Sequence, residues 1–589
     1  MRPKTVLSFV ALLLATRVAL LAAGADVHGY GEEFAKGAAA RLILSDLRAH
    51  GAGTGIELWN TPYVLHEGGG TMATLARVAV FALVGPSVLA NKLVALASTT
   101  LVLVALLAAA RELFGVRAAA FAGLAFVFAP EAFLRFSLLS LGTHFEAAFF
   151  VLALLALGAR IGEGRDPRAR VHFALGVCAG LGAYASLIVL PAIVAALGRV
   201  VFQRGRELLG RAGACLVAGA LVGAAPWIWM VRNAGLDAVR IRGANPTGGA
   251  ADPVRALGIL AERVFAPDAS RIVLVAACAA VVLTGAWACA RGAAPARSHA
   301  REFVYVGAFL ALFLAAYASS GFALHPDAAW FFFLRATPAW IGVVLLVAGA
   351  AAVLEESGGS PRLLARAGLG VIVLVGIVDA ARLALDGRPG APVANLRLLA
   401  TTQGYDWSEY LDKLLPRLEG SVEEKLARIA RVDDDPARLD PDLAQSAFEH
   451  ADASLPRALE TLHRALGPRA DQAITGLRFF VHPNFGHDPD AAFRALAAAP
   501  ERDRPALAEA IGRAGLGPRF RPDRIEKQLE RAVEEPWRER WLLGAGWRLY
   551  RAFPLRPDRA REFLARRPEE QRAALERGWS DAAERARIR

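Results

Sequence analysis

The chain has 589 residues, 55% of them hydrophobic, and a mean hydropathy of +0.37, which together exclude a wholly soluble protein. Its formal net charge is +12. Arg and Lys cluster in short connections between the apolar runs of the first part and alternate with Glu and Asp in the last part. The first pattern orients membrane helices and the second is typical of solvated helices, so we expect no nucleic-acid partner.

The apolar runs end near Leu385, and no later run approaches the roughly 20 apolar residues that cross a bilayer. We therefore predict a membrane domain over 1–385 and a soluble domain over 386–589. The fold class is all-α: a polytopic helix bundle of about eleven spans, followed by a soluble helical domain. The candidate spans lie near 5–24, 88–110, 117–134, 143–160, 172–186, 188–202, 211–231, 271–290, 303–322, 331–353 and 366–385.

Two features qualify the count of spans. Met1 to Lys4 and the following apolar stretch have the form of a signal peptide, but we favour an uncleaved first span. Pro191 interrupts the stretch 172–202, which is either one long helix or a tight hairpin. The hairpin is favoured because it keeps the basic connections on one side, which we take to be the cytoplasm. The N-terminus is then cytoplasmic and the C-terminal domain extracytoplasmic, in the plasma (inner) membrane.

The connection after the first span is long, covering 25–87 on the outer side. Residues 33–49 read as an amphipathic helix that can lie in the headgroup layer. Residues 72–84 predict a second interfacial helix, which Gly85-Pro86 terminates. Beyond Asp386, short helices are predicted between Pro, Asp and Gly residues, over 407–417, 422–430, 441–450, 455–465, 491–498, 504–514 and 523–534.

An acidic pair, Glu32-Glu33, begins the first of these interfacial helices. A carboxylate at the mouth of a membrane bundle can accept a proton from a nucleophile or hold a cation. Acidic residues also favour the first turn of a helix because of its dipole, so the pair alone does not decide between catalysis and capping. Asp26 is a further candidate for the base.

The order of motifs that follows resembles the GT-C membrane glycosyltransferases, the group that includes protein mannosyltransferases and aminoarabinose transferases. The family carries an acidic pair, usually Asp-Glu, shortly after its first span, where this chain has Glu32-Glu33. The stretch Leu113-Phe114-Gly115-Val116-Arg117-Ala118-Ala119 between two spans is similar to the family layout, and Ala129-Pro130 closes the next span as is common there. Leu334-Arg335-Ala336-Thr337-Pro338 is similar to its Arg-Tyr-x-x-Pro segment, with Ala336 in place of Tyr. The resemblance covers about residues 1–385, and residues 386–589 match no family that we can name.

This resemblance implies a transferase that moves a sugar from a polyprenyl-phosphate carrier to a lipid, glycan or protein acceptor at the outer face. Glu32 would be the base with Glu33 in support, and Arg335 with Arg135 or Lys36 would bind the donor phosphate. Snorkelling at the membrane interface is the alternative role for each cation. No cofactor is implied, although a divalent cation is possible.

Two other groups of polar residues lie close together in the sequence. Tyr63, His66 and Glu67 precede a run of three glycines and could shape an acceptor pocket or form a flexible turn. They lack the further ligands that a metal site needs. His144 and Glu146, two positions apart at the start of a predicted span, are interpreted as packing and interface residues.

Two rival functions remain open on the sequence alone. A transporter would often show internal duplication, which is not found here, and the long first loop is unusual for one. A non-catalytic scaffold would display the C-terminal domain to partners, and deleting residues 400–589 would then abolish its function.

Overall fold

A computed structural model of the chain describes residues 2–24, 31–50, 68–164, 168–234, 269–291, 294–320, 336–387, 391–402, 454–477, 489–514, 537–553 and 557–586, with a few isolated residues between them. All regular elements of these ranges are helical, which confirms the predicted all-α, polytopic class. The α-helices, numbered here in chain order, are α1 Pro3–Ala22, α2 Gly31–His50, α3 Gly69–Val84, α4 Val88–Val127, α5 Glu131–Phe136, α6 Ala148–Gly162, α7 Ala169–Ala185, α8 Leu190–Arg204, α9 Arg211–Ala234, α10 Ala269–Ala290, α11 Ala294–Ala318, α12 Thr337–Ser357, α13 Gly359–Leu385, α14 Pro392–Thr401, α15 Leu455–Leu466, α16 Ala470–Ile474, α17 Pro489–Ala498, α18 Arg504–Ala514, α19 Arg538–Ala552, α20 Pro557–Ala565 and α21 Glu569–Arg585.

Eight helices in the described part are long and apolar enough to cross a bilayer. They are α1, α4, α8 with its flanking 3₁₀ turns, α9, α10, α11, α12 and α13. The predicted number was larger because α4 contains two predicted spans, and because α6 and α7, also predicted as spans, have only 15 and 17 residues. Each predicted span therefore overlaps a helix.

The chain divides into two compact units. Unit 1 comprises Met1–Val27, Val64–Ala73 and Lys92–Gly387. Unit 2 comprises His28–Tyr63, Thr74–Asn91 and Arg388–Arg589. Each unit is described by itself below.

Helix α4 has 40 residues but is two antiparallel arms that meet at Gly115. Gly115 has φ 89° and ψ −178°, a conformation that glycine adopts readily and other residues adopt only with strain. The arms then run side by side, since a Cβ placed on Gly123 would lie 3.0 Å from the Leu107 side chain. The glycine at the centre of the Leu113–Ala119 motif is thus the residue that allows the reversal.

The basic connections of unit 1 meet at one end, called here the basic end. Arg199 of α8 binds Glu302 of α11 through both terminal nitrogens and lies 3.3 Å from Glu163, which follows α6. Arg117 pairs with Glu356 across 3.3 Å, and Glu355 pairs with Arg366. The Phe114 ring lies 5.1 Å from that of Phe303, between centroids. These contacts confirm that the connections share a side, as the hairpin interpretation requires.

The other ends of the same helices form the far end of unit 1. The backbone N–H of Glu131, which begins α5, donates to the Asp379 carboxylate of α13 over 3.0 Å. Ala336, which precedes α12, packs with Ala129 and Phe133. The described connections that carry these contacts therefore lie at two different ends of unit 1, as expected for a polytopic bundle.

Several boundaries differ from prediction for local reasons. The break within 172–202 lies at Ser186 rather than at Pro191. Ser186 is extended and caps a 3₁₀ turn at Leu187–Val189, while Pro191 fits the first turn of α8, where its missing N–H costs nothing. His144 and Glu146 were placed at the start of a helical span, but both precede α6, which begins at Ala148.

Unit 2 contains a helical core of its own. Buried residues of α15 to α21, including Leu462, Leu507, Trp541 and Leu575, form one apolar cluster. Helices α18, α19 and α21 approach closely at glycines: a Cβ on Gly544 would lie 2.0 Å from the Glu509 carbonyl oxygen. The helices predicted over 455–465, 491–498 and 504–514 are confirmed. Those predicted over 407–417, 422–430, 441–450 and 523–534 lie largely outside the described residues.

Arg513 is a charged group that is largely enclosed by this core. Burial lowers the pKa of its guanidinium, and the neighbouring Glu509 carboxylate opposes that change. The two side chains are 2.6 Å apart, and the guanidinium also lies over the Trp547 ring at 4.9 Å. The pair is one helical turn apart, so it stiffens α18 where that helix packs against α19.

Candidate functional site

The first helix of unit 2 carries a buried pair of opposite charges. Glu33 is fully buried on α2, and Lys36, one turn later, is 5% exposed. Residues three apart on a helix are neighbours on its surface. Ionised groups are buried only when other polar groups stabilise them. This face of α2 is therefore packed inside the protein and is not a solvated first turn. Helix 33–49 was predicted, and the observed helix begins two residues earlier.

The remainder of this part of unit 2 is an ordered support. Ala40 and Leu44 of α2 pack with Phe81 of α3. Arg77 and Asn91 are both fully buried, and the Arg77 Nε–H donates to Asn91 Oδ1 over 2.9 Å. The apolar cluster packs α2 against α3, and the Arg77–Asn91 hydrogen bond ties α3 to the beginning of α4.

The predicted phosphate ligand Arg135 lies in unit 1, on α5. Its Nε–H donates to Glu131 Oε1 over 2.9 Å, and its Nη2 lies 2.8 Å from the same oxygen. Glu131 is in turn held through its backbone by Asp379. About a quarter of the Arg135 side chain is exposed. A second anion can therefore reach the guanidinium, where it would either share it with Glu131 or displace Glu131.

The segment that follows Arg335, the second predicted phosphate ligand, packs beside α5. Ala336 follows Arg335 directly and is buried against Phe133, whose ring stacks on Trp340 with centroids 5.2 Å apart. Arg335 itself lies outside the described residues. The segment that carries it therefore re-enters the described part of the chain at the far end of unit 1, next to the helix of Arg135.

The glycine run after His66-Glu67 is closely packed. Gly68 donates its N–H to the Tyr184 carbonyl over 2.6 Å. A Cβ on Gly69 would lie 2.0 Å from the carbonyl oxygen of Gly142, whose own φ is 80°. The flexible-turn interpretation is therefore wrong for the glycines, which begin α3 and allow it to touch a neighbouring turn. Tyr63, His66 and Glu67 lie outside the described residues.

The pair His144 and Glu146 lies just beyond that turn. His144 is buried and Glu146 is partly buried. The Tyr184 ring next to Gly68 also meets Trp227 edge-on, with centroids 6.0 Å apart. The far end of unit 1 thus combines aromatic rings with buried polar side chains, a composition suited to an amphipathic ligand.

Sequence reasoning missed two buried cations of unit 1. Arg17 of α1 is 1% exposed and donates to Ser137 Oγ over 2.7 Å and to the Val127 carbonyl over 2.9 Å. Lys92 is fully buried near the start of α4. A charge inside an apolar span was the available signal for Arg17, since such residues are rare unless they have a structural or functional role.

The remaining predicted residues divide between the two units or lie outside the described part. Asp26 lies outside the described residues. Glu32 is the second residue of α2, and its side chain is not among those described. Glu33 and Lys36 belong to unit 2, and Arg135 belongs to unit 1. The structure therefore brings together Glu33 with Lys36, and Arg135 with the segment after Arg335.

Comparison with known proteins gives one structural similarity to report. No protein-family model matches the sequence, and no curated protein sequence matches it. The fold is similar to the crystal structure of ArnT from Cupriavidus metallidurans bound to undecaprenyl phosphate. The match is 17% identical, covers 86% of this chain and 85% of the other, and has a TM-score of 0.41. The similarity concerns the overall fold alone.

Proposed function

We propose that this chain is an integral membrane glycosyltransferase that moves a sugar from a polyprenyl-phosphate donor to an acceptor at the extracytoplasmic face. The acceptor is a lipid, a glycan or a protein. The observation that carries the proposal is the burial of Glu33 together with Lys36 on α2, directly after the first span. A solvated helix start, the alternative reading of the acidic pair, does not bury its second carboxylate completely.

The reaction needs a base and a counter-charge. In the proposed step, a carboxylate of the pair accepts the proton of the acceptor hydroxyl as its oxygen attacks the anomeric carbon. The bond between that carbon and the phosphate oxygen breaks, and its electron pair leaves with the polyprenyl phosphate. We assign the base to Glu32 and a positioning role to Glu33, whose complete burial keeps it from exchanging partners.

The donor phosphate carries negative charge that grows as the sugar departs, so cations near it lower the barrier. Lys36, Arg135 and Arg335 are the proposed ligands. An arginine fork suits two phosphate oxygens better than an ammonium does. The stack of Phe133 on Trp340 beside Ala336 supports this assignment, because it fixes the chain immediately after Arg335.

Orientation follows from the grouping of basic connections. Arg117, Arg199 and Arg366 belong to the basic end of unit 1, where they meet glutamates. Short basic connections stay in the cytoplasm during insertion, so we place this end there. The far end then faces outward, which is where a lipid-linked donor would be used.

The experiment is sugar transfer in membranes that contain the full-length chain, supplied with a panel of labelled polyprenyl-phosphate sugars. Loss of a general base lowers rates by about 10²–10⁴-fold, so Glu32→Gln should abolish detectable transfer at a normal protein level. Glu33→Gln should also reduce transfer, by disturbing its neighbour on α2.

Glu356→Gln is the matched control, because it makes the same change at the basic end of unit 1 and should leave transfer unchanged. Transfer that survives Glu32→Gln would contradict the assignment of the base and direct attention to Asp26. If the wild type transferred no sugar from any donor, the proposed activity itself would be wrong.

A further inference from the structure

Three metal-ligating side chains meet in the C-terminal helices of unit 2, on elements that contain no residue assigned to transfer. His463 lies in the last turn of α15, Asp471 in the first turn of α16, and Asp503 at the end of the 3₁₀ turn Glu501–Asp503 that leads into α18. One ligand atom of each lies within 4.8 Å of the other two. Three separate elements therefore present a nitrogen and two carboxylates to one point.

Asp503 shows that this is more than a surface cluster of acids. Its side chain is fully buried, and its Oδ1 lies 2.7 Å from His463 Nε2. The other oxygen, Oδ2, is buried and has no hydrogen-bond partner among the residues that the structure describes. A buried carboxylate oxygen without a partner is costly, and a bound cation would satisfy it.

Other cations near this carboxylate do not satisfy it. The Arg502 Nε lies 3.5 Å from Oδ1, not Oδ2, and its side chain is 67% exposed. Arg504 donates its Nε–H to the Ala499 carbonyl instead. His463 can donate only one proton to Asp503, through Nε2. The carboxylate therefore retains an unused acceptor that faces neither water nor a hydrogen-bond donor among the described groups.

We propose that His463, Asp471 and Asp503 bind a divalent first-row transition-metal ion, with water completing its coordination. Ligand atoms about 2.0–2.2 Å from one Zn²⁺ lie roughly 3–4 Å apart, so the three groups need to move only slightly. One imidazole with two carboxylates suits Zn²⁺ or Mn²⁺, whereas Ca²⁺ and Mg²⁺ prefer sites made only of oxygen.

Binding exchanges a proton for the ion between His463 and Asp503. A proton that Nε2 donates to Asp503 must leave that nitrogen, for Nδ1 or for solvent, before the Nε2 lone pair can bind the metal. The ion links α15 and α16 to the beginning of α18. A ligand that binds only the folded state stabilises it, so the ion should act as a clip for the C-terminal helices.

The test uses the purified full-length protein in detergent, stripped of metal with EDTA and dialysed. Zn²⁺ alone and Mn²⁺ alone are titrated by calorimetry, and thermal unfolding is recorded with and without each ion. We expect one ion to bind per chain and to raise the midpoint of unfolding. Asp471→Asn should weaken binding by at least about tenfold and remove the thermal shift.

Asp471 is exposed, so its substitution tests the metal without disturbing the buried core. Glu501→Gln is the matched control, since Glu501 is an exposed acid of the same 3₁₀ turn and should leave binding unchanged. His463→Gln provides a second ligand variant. Equal affinity in the wild type and Asp471→Asn, or no binding by the wild type, would overturn the proposal.

Discussion

Arginines at the two ends of unit 1 differ in the partners that they contact. At the basic end, arginines meet glutamates: Arg199 binds Glu302 with both nitrogens, and Arg117 and Arg366 pair with neighbouring acids. At the far end, the described hydrogen-bond partners of Arg17 are all neutral oxygens. The arginines named at the basic end are paired with carboxylates, whereas the described partners of Arg17 at the far end carry no net charge.

This difference indicates which end of unit 1 would bind an anionic substrate more favourably. Buried carboxylates at the basic end would repel a phosphate and already occupy the guanidinium groups. Cations that are held by hydroxyl and carbonyl oxygens still attract an anion, because those partners carry no net charge. The uncharged partners of Arg17 therefore favour a lipid phosphate at the far end, where Arg135 would share its guanidinium between Glu131 and the phosphate.

The largest effect is expected from breaking the buried pair at the basic end. Glu302→Gln leaves the buried Arg199 guanidinium with the partly exposed Glu163 carboxylate and the face of the Tyr305 ring, so unfolding should become easier by about 3 kcal/mol. Thermal unfolding in detergent measures this change. Glu356→Gln removes one partner of an exposed pair and should cost less than about 1 kcal/mol. Equal losses would show that burial does not distinguish the two pairs.

A smaller loss is expected at the far end from Arg17→Lys. The ammonium keeps the charge but cannot reach Ser137, Thr16 and the Val127 carbonyl together, so stability should fall by about 2 kcal/mol. Ser137→Ala removes one acceptor and should cost about half as much. The measurement is again thermal unfolding. An unchanged midpoint in Arg17→Lys would mean that its charge alone holds α1.

The turn between the two arms of α4 is tested by Gly115→Ala. No atom lies within 4 Å of the added methyl group, so the expected loss of about 1–3 kcal/mol comes from the positive φ alone. Gly307→Ala is the matched control, because its Cβ also meets nothing but its helix is regular. Denaturant unfolding should separate the two variants, and a neutral Gly115→Ala would show that the turn can relax.

The sequence predicted the helices of unit 1 well because each span is a long apolar run between basic connections. It could not predict which charges meet. Glu163, Arg199 and Glu302 are distant along the chain, and only the alternation of the helices brings them together. The glycines at 68–70 were read as loop because glycine disfavours helices, but the Cβ-free surface is what allows α3 to touch Gly142.

The C-terminal helices show the same limit. Helices α19 to α21 were missed as elements because they are rich in Arg and Glu and poor in apolar residues, and because glycines interrupt α19 and α21. Their packing depends on backbone approach at Gly544 and Gly578, which no periodicity reveals. His463, Asp471 and Asp503 have no recognisable metal spacing, and they converge only after three elements pack together.

The most direct measurement is photo-crosslinking of the full-length protein in membranes, with a polyprenyl phosphate that carries a photoreactive group next to its phosphate. The crosslinked peptides of unit 1 are then identified by mass spectrometry. The account predicts labelling at the far end, within residues 129–147 or 336–340, and competition by unlabelled polyprenyl phosphate. Specific labelling confined to the basic end, at 111–117 or 199–211, would contradict it.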